Sequence, residues 1–129
     1  MAEHNDLGKI GENITTMFLM KHKFSVLERN YRNRYGEIDI IAKKDNALRF
    51  VEVKSVKVVN FTKIKNLKIT PEDNLTKDKW SKIVVSIETY LKHKNVPGGV
   101  KWQVDLSCVY INTETRQGLV KLLENIHRE

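Results

Sequence analysis

Four side chains between positions 37 and 54 are of types that do chemistry together: Glu37, Asp39, Glu52 and Lys54. They lie in the stretch GEIDIIAKKDNALRFVEVK (36–54), two apolar, β-branched runs around a polar Lys-Asp-Asn centre, which predicts a β-hairpin. A turn centred between Asp45 and Asn46 sets Asp39 opposite Glu52 and Glu37 opposite Lys54. Residues two apart on a strand share a face, so all four project the same way. Opposed side chains stand about 5 Å apart at Cβ, where two carboxylates repel. A divalent cation between them removes the repulsion, because Mg²⁺ (or Mn²⁺) seeks carboxylate oxygens. Lys54 then stands beside the metal, and the group as a whole is a catalytic arrangement. Charges along a hairpin are commonly its solvated face. Here the acids are embedded among Ile38, Ile40, Ile41, Phe50, Val51 and Val53, a run too apolar for a surface ribbon.

The rest of the chain must hold this stretch in place. Residues 5–22 read as a helix that Asn5 or Asp6 can cap, with Leu7, Ile10, Ile14, Met17 and Phe18 at helical spacing on a core face. Gly8 and Gly11 each cost the helix about 1 kcal/mol relative to Ala. One turn apart, they leave a bare patch where another element or a ligand can approach, with Glu12 beside it. Phe24–Leu27 is a short strand candidate. It leads into Glu28–Tyr35, where Arg29, Arg32 and Arg34 are interleaved with Tyr31 and Tyr35. Arginines fork onto phosphate oxygens and tyrosines stack on unpaired bases. After the hairpin, Val58, Val59 and Phe61 can extend the second strand. A lysine-rich excursion containing Pro71 follows, suited either to a clamp on nucleic acid or to a solvated loop. Thr76 or Asp78 can cap a helix over 77–93, whose apolar face carries Trp80, Ile83, Val84, Ile87, Tyr90 and Leu91. Lys79 and Lys82 on that helix are placed to meet backbone phosphates. Pro97-Gly98-Gly99 is a turn whose glycines are free to take positive φ. Residues 100–111 read as a strand, and residues 118–126 fit a helix by spacing.

Composition narrows the function classes. The chain has 129 residues, which suits one compact domain, 1–129, with a core of its own. No apolar run approaches the ~20 residues that span a bilayer, no secretory signal is read at the start, and a cytoplasmic protein without membrane contact is expected. The single Cys108 and the scattered His4, His22, His93 and His127 offer no zinc-site spacing. Net charge is +7, and its distribution is uneven. Residues 29–68 carry eleven Lys/Arg against four Asp/Glu, residues 1–28 carry three against four, and residues 69–129 carry nine against eight. The whole excess therefore lies around the acidic hairpin, the electrostatic footprint of a polyanion partner.

Several blocks of the sequence together resemble one family. Gly8-x-x-Gly11-Glu12, Arg29-Asn30-Tyr31-Arg32, Gly36-Glu37-Ile38-Asp39-Ile40-Ile41-Ala42 and Phe50-Val51-Glu52-Val53-Lys54 strongly resemble the YraN-like family of bacterial proteins. Their order and spacing cover essentially the whole chain. The resemblance implies an α/β, restriction-endonuclease-like core, a mixed central sheet flanked by helices, similar to archaeal Holliday-junction resolvases. Asp39 followed by Glu52-x-Lys54 is the PD-(D/E)xK pattern of such nucleases, and Glu12, Asp39, Glu52 and Lys54 map onto the family's site positions. The implied activity is a Mg²⁺- or Mn²⁺-dependent endonuclease on nucleic acid, DNA before RNA, with branched or structured DNA preferred and a homodimer where two strands are cut symmetrically. Asp39, Glu52 and the Val53 carbonyl would hold the metal, and Glu12 either holds a second ion or ligates through water. Lys54 would orient or deprotonate the attacking water. Arg29, Tyr31, Arg32, Arg34, Lys57, Lys79 and Lys82 would contact nucleic acid. The family also suggests that residues 118–126 begin as a strand.

Departures from the family pattern are Thr15 for a small alanine, Lys23 for a helix-ending glycine, Gln103 for an arginine, and Val56 for an arginine whose charge Lys57, Lys63, Lys65 and Lys68 can replace. Glu37 is open between pairing with Lys54 or Arg34 and acting as an accessory acid. Asp105 is expected to be structural. Two other readings stand beside the enzyme: a non-catalytic nucleic-acid-binding module that keeps the nuclease fold, and a structural adaptor whose charges are merely solvated.

Overall fold

A computed structural model describes residues 2–64 and 66–127, the side chains of 2–6 and 72 excepted. Helix α1 spans Ala2–Lys21. It begins ahead of Asn5 and Asp6, whose capping side chains lie outside the described residues, as does Lys65. The fully buried stripe of α1 is Gly11, Thr15 and Leu19, one turn apart; of the apolar row expected, Leu7, Ile10, Ile14 and Phe18 are partly buried and Met17 is 67% exposed. Small residues let the helix lie close on the sheet. A Cβ added at Gly11 would stand 1.8 Å from Ser55 Oγ. Thr15 fits because its hydroxyl meets Ser107 Oγ at 2.9 Å. Past the end of the helix at Lys21, Lys23 takes the left-handed conformation (φ 68°) that glycine normally supplies there.

Strands β1 (Ser25–Asn33), β2 (Gly36–Lys44) and β3 (Ala47–Lys57) form an antiparallel meander. The strand candidate at 24–27 and the Arg/Tyr segment thus merge into one strand, with Phe24, Arg34 and Tyr35 outside it. Asp45 and Asn46 both have positive φ (52° and 62°), the type I′ turn that matches strand twist. That turn sets the expected register, from Lys44 opposite Ala47 to Ile40 opposite Val51. Beyond β3 the chain runs through a short helix α2 (Pro71–Asn74) and the long helix α3 (Lys77–His93), then enters β4 (Lys101–Asn112) parallel to β3. Thr76 caps α3 by accepting the backbone N–H of Lys79. In the turn before β4 it is Asn95, not Gly98 or Gly99, that has positive φ.

Residues Gln117–Leu123 form β5, antiparallel to β4. The helical spacing of this segment is overturned by the free edge of β4, which offers it a ladder from Leu106–Leu123 to Asn112–Gln117. The result is a mixed five-stranded sheet in the order β1-β2-β3-β4-β5, an α/β fold consistent with a restriction-endonuclease-like core.

The sheet is covered on both faces. Ile41, Phe50, Leu106 and Cys108 pack with Ile83, Ile87 and Tyr90 of α3, while Ile40, Ala42 and Val51 pack with Leu19 of α1 and with Phe24. Asp105 is fully buried and accepts hydrogen bonds from Arg49 Nη1 (3.1 Å), Gln103 Nε2 (2.8 Å) and the Asn125 backbone (2.9 Å). Arg49 also meets Glu124 at 2.8 Å. This network ties β3, β4 and the segment after β5 together, away from the acidic hairpin stem. Among the described residues no helix is long and apolar enough to cross a membrane.

Candidate active site

The β2–β3 ladder ends at Ile40–Val51, and the two strands part beyond it. Asp39 and Glu52 are the next residues on either side of the fork. In place of a backbone partner, the Val53 N–H donates to Asp39 Oδ2 at 2.8 Å. The fork opens into a cleft of about 760 Å³. Gly8, Lys9 and Glu12 of α1 line one wall, Arg29 and Asn30 of β1 lie beside them, and Lys79, Lys82 and Ile83 of α3 form the opposite wall. Gly36, Glu37, Asp39, Glu52 and Val53 make the floor. Acids therefore sit at the base of a basic-rimmed cleft.

Glu52 is only 7% exposed. Its carboxyl is pushed up to about 9, first by burial, then by hydrogen bonding to Asp39 and by the charge of Asp39, with Lys79 opposing. Two carboxylates held this closely in a partly buried site share a proton or a cation. Lys79 Nζ stands 3.4 Å from Glu52 Oε2. Glu12 is held more firmly. Its Oε1 accepts from Arg29 Nε (3.0 Å), Arg29 Nη2 (2.9 Å) and Asn30 Nδ2 (2.8 Å). Asn30 adopts positive φ (55°) at this point, and Arg29 also donates to Asn13 Oδ1 at 2.7 Å.

The two glycines of α1 divide their tasks. Gly11 permits the approach of β3, whereas a Cβ at Gly8 would have nothing within 4 Å and would project into open space. Glu37 pairs with Arg32 at 3.0 Å rather than with Lys54 or Arg34, because Arg32 is its direct partner in the β1–β2 register. Arg34 instead lies over the ring of Tyr35 and donates to its hydroxyl at 3.0 Å.

Of the residues singled out from the sequence, the fold brings Glu12, Asp39, Glu52, Val53, Arg29, Lys79 and Lys82 to one cleft. Lys54 and Lys57 are exposed on β3 and are not among the cleft-lining residues. Tyr31 turns inward, its ring edge-on to Tyr90 with centroids 5.1 Å apart, and the exposed tyrosine of the segment is Tyr35. Lys9 and Asn30 were not singled out. Lys9 follows Gly8 and precedes Glu12 by three positions, a spacing that places it on the same side of the helix.

The donor set can be tested against the implied metal. Mg²⁺ keeps several waters and takes one or two carboxylates, completed by substrate phosphate. Asp39 and Glu52 supply that number. Among the described residues no three His, Cys, Asp or Glu side chains cluster closely enough to cage an ion by themselves. The site fits a water-rich hard cation and does not fit a closed structural metal.

The sequence profile of the "Uncharacterised protein family UPF0102" matches residues 11–116. The chain belongs to the UPF0102 family. It is 41% identical over 117 residues to a UPF0102 protein of Campylobacter lari, covering 90% of this chain and 88% of that one. Similar agreement holds with UPF0102 proteins of Flavobacterium psychrophilum (36% over 110 residues, 85% of each chain) and Campylobacter hominis (39% over 115 residues, 89% and 88%). The UPF0102 match begins at Gly11 and takes in Glu12, the hairpin acids and the lysines of α3.

Proposed function

We propose that this protein is a Mg²⁺- or Mn²⁺-dependent endonuclease that hydrolyses phosphodiester bonds in nucleic acid, acting in the cytoplasm and on DNA before RNA. The observation that carries the reading is the convergence of Asp39 and Glu52 at the floor of a basic-rimmed cleft, where Glu52 is held towards its protonated form first by burial and then by Asp39. Such a pair is costly as a structural element, and a cation relieves it.

Asp39 and Glu52, with the Val53 carbonyl, would hold the ion, and Glu12 would reach it through water or hold a second ion. The bound ion would supply an activated water and neutralise charge on the phosphate. Asp39 is oriented for this by the Val53 N–H, and Glu12 by Arg29 and Asn30. Arg29 and Lys82 on the rim would hold the phosphodiester over the acids, as charge-assisted donors do. By its resemblance to the Glu-x-Lys motif, Lys54 would orient or deprotonate water, swinging in from its exposed position. Resolvase-like similarity favours branched or structured DNA and a homodimer.

The test is cleavage of four-way-junction, flap, single-stranded and duplex DNA and an RNA hairpin, in Mg²⁺, Mn²⁺ or EDTA. Glu52→Ala and Lys54→Ala proteins are purified identically. Metal-dependent cutting lost in both variants is expected. Salt-sensitive binding without cutting would instead identify a non-catalytic binding module, and cutting that survives both substitutions would sink the site assignment.

A further inference from the structure

Each acid on the cleft walls and floor that carries a basic partner does so in a different way. Glu12 is clasped by three donors from Arg29 and Asn30, and Glu37 is paired across a strand register with Arg32. Glu52 has a looser partner. Lys79 reaches it through one contact of 3.4 Å, and the lysine side chain is 58% exposed while that of Glu52 is 8% exposed. The main chain beneath Lys79 is fixed, because its N–H is bonded to Thr76 Oγ1 at 3.1 Å in the first turn of α3. A fixed base with a four-carbon, freely rotating stem is a movable charge on a stationary mount.

The consequence follows from charge. Among the described residues, Lys79 is the cation paired with Glu52. A divalent ion entering between Asp39 and Glu52 would compete for the oxygen that Lys79 holds, and would repel its ammonium. Lys79 also lines the cleft on the α3 wall, next to Lys82, where a phosphate over the floor would offer it an alternative anion.

We propose that Lys79 is an exchange cation. It serves as counterion to Glu52 until a divalent ion occupies the acid pair, and then transfers to a phosphate of the nucleic acid. Metal and substrate thereby support each other's binding. The inference rests on the proposed function of the same site.

The experiment measures two affinities that must move in opposite directions. Mn²⁺ binding without nucleic acid is followed by electron paramagnetic resonance, and binding of a four-way-junction DNA is followed by fluorescence anisotropy in Ca²⁺. The proteins are wild type, Lys79→Met, Lys79→Gln and Lys92→Met, with circular dichroism as the folding control. Lys92 lies in the last turn of α3 and outside the cleft, and its substitution makes the same change in net charge.

Expected is a 3- to 10-fold tighter Mn²⁺ affinity in both Lys79 variants, because a competing positive charge is gone. Weaker DNA binding in Ca²⁺, also by 3- to 10-fold, should accompany it, and Lys92→Met should change neither by as much as 2-fold. Unchanged or weaker Mn²⁺ binding in the Lys79 variants would overturn the inference. So would tighter Mn²⁺ binding with unchanged DNA affinity. Wild-type protein that binds no more Mn²⁺ than Asp39→Asn would overturn the metal-site reading itself, a different failure.

Discussion

Asp39 and Val53 close the fork between β2 and β3, the aspartate carboxylate accepting the valine N–H at 2.8 Å. One oxygen of Asp39 is thus committed to the fold. Asparagine can accept the same hydrogen bond without the charge that repels Glu52. Asp39→Asn should therefore match or exceed the wild type in urea denaturation without metal, while losing metal binding. Asp39→Ala leaves the N–H unmet in a half-buried setting and should fall about 1–2 kcal/mol below Asp39→Asn. Equal stability of the two variants would show that the Val53 contact contributes nothing.

The Glu52 carboxyl has its own signature in pH. Burial and then Asp39 raise it from about 4.5 to about 9, so between those values the folded protein keeps a proton that the unfolded chain releases. Folding stability from this group is fully present below about pH 4.5 and is lost as pH rises through about 9. In EDTA, the wild type should lose stability relative to Glu52→Gln as pH goes from 5 to 9, measured by urea midpoints. Added Mg²⁺ should oppose the loss, and most strongly at the alkaline end, where the carboxylate is free to bind it.

Gly8 and Gly11 are one turn apart and should respond oppositely to the same substitution. A Cβ at Gly11 would meet Ser55 Oγ at 1.8 Å and Ser55 Cβ at 3.0 Å, and only the first of these atoms can rotate away. Gly11→Ala should destabilise by about 1–3 kcal/mol despite the better helix propensity of alanine. Gly8→Ala meets nothing within 4 Å and should stabilise by up to about 1 kcal/mol. Thermal melts of the two variants decide it, and stabilisation of both would mean that α1 does not rest on β3 as described.

The acidic pair was legible in the sequence because a two-residue turn between apolar runs leaves little choice of register. Asp45 and Asn46 tolerate the left-handed conformation that this turn requires. The parting of the strands beyond Ile40 was not legible, since local patterning says nothing of where a ladder stops. Met17 fits a helical core stripe, yet the close packing of Gly11 and Thr15 rotates the helix and leaves it outside. The β5 segment has helical spacing, and only its position beside β4 makes it a strand. Lys79 was readable as a phosphate contact on α3 but not as the partner of Glu52, a contact between elements 27 positions apart in the chain.

Asp105 and Arg49 are a buried ion pair away from the cleft, and their loss should act on the fold alone. Arg49 is 7% exposed, Asp105 is fully buried, and each satisfies further partners. Asp105→Ala leaves Arg49 with Glu124 as its remaining acid and takes the acceptor from Gln103 and the Asn125 N–H, and should cost about 3 kcal/mol. Protein that remains folded, at low temperature or with a stabilising osmolyte, should keep wild-type metal affinity. A selective loss of metal binding in folded Asp105→Ala would place this residue in the site after all.

Tyr31 and Tyr35 separate packing from nucleic-acid contact within one segment. Tyr31 is half-buried with its ring edge-on to Tyr90, whereas Tyr35 is 41% exposed beneath the guanidinium of Arg34. A ring removed from the core costs about 3–5 kcal/mol at most, less where burial is partial. Stacking of one base on an exposed aromatic is worth about 1–3 kcal/mol. Tyr31→Ala should therefore lower the melting temperature sharply, and Tyr35→Ala should leave it within a degree or two. In anisotropy titrations with single-stranded DNA, Tyr35→Ala should bind at least 5-fold more weakly, an effect that Tyr35→Phe should not reproduce. Wild-type affinity in Tyr35→Ala would remove base stacking at this edge of the sheet and leave the arginines to act on phosphates alone.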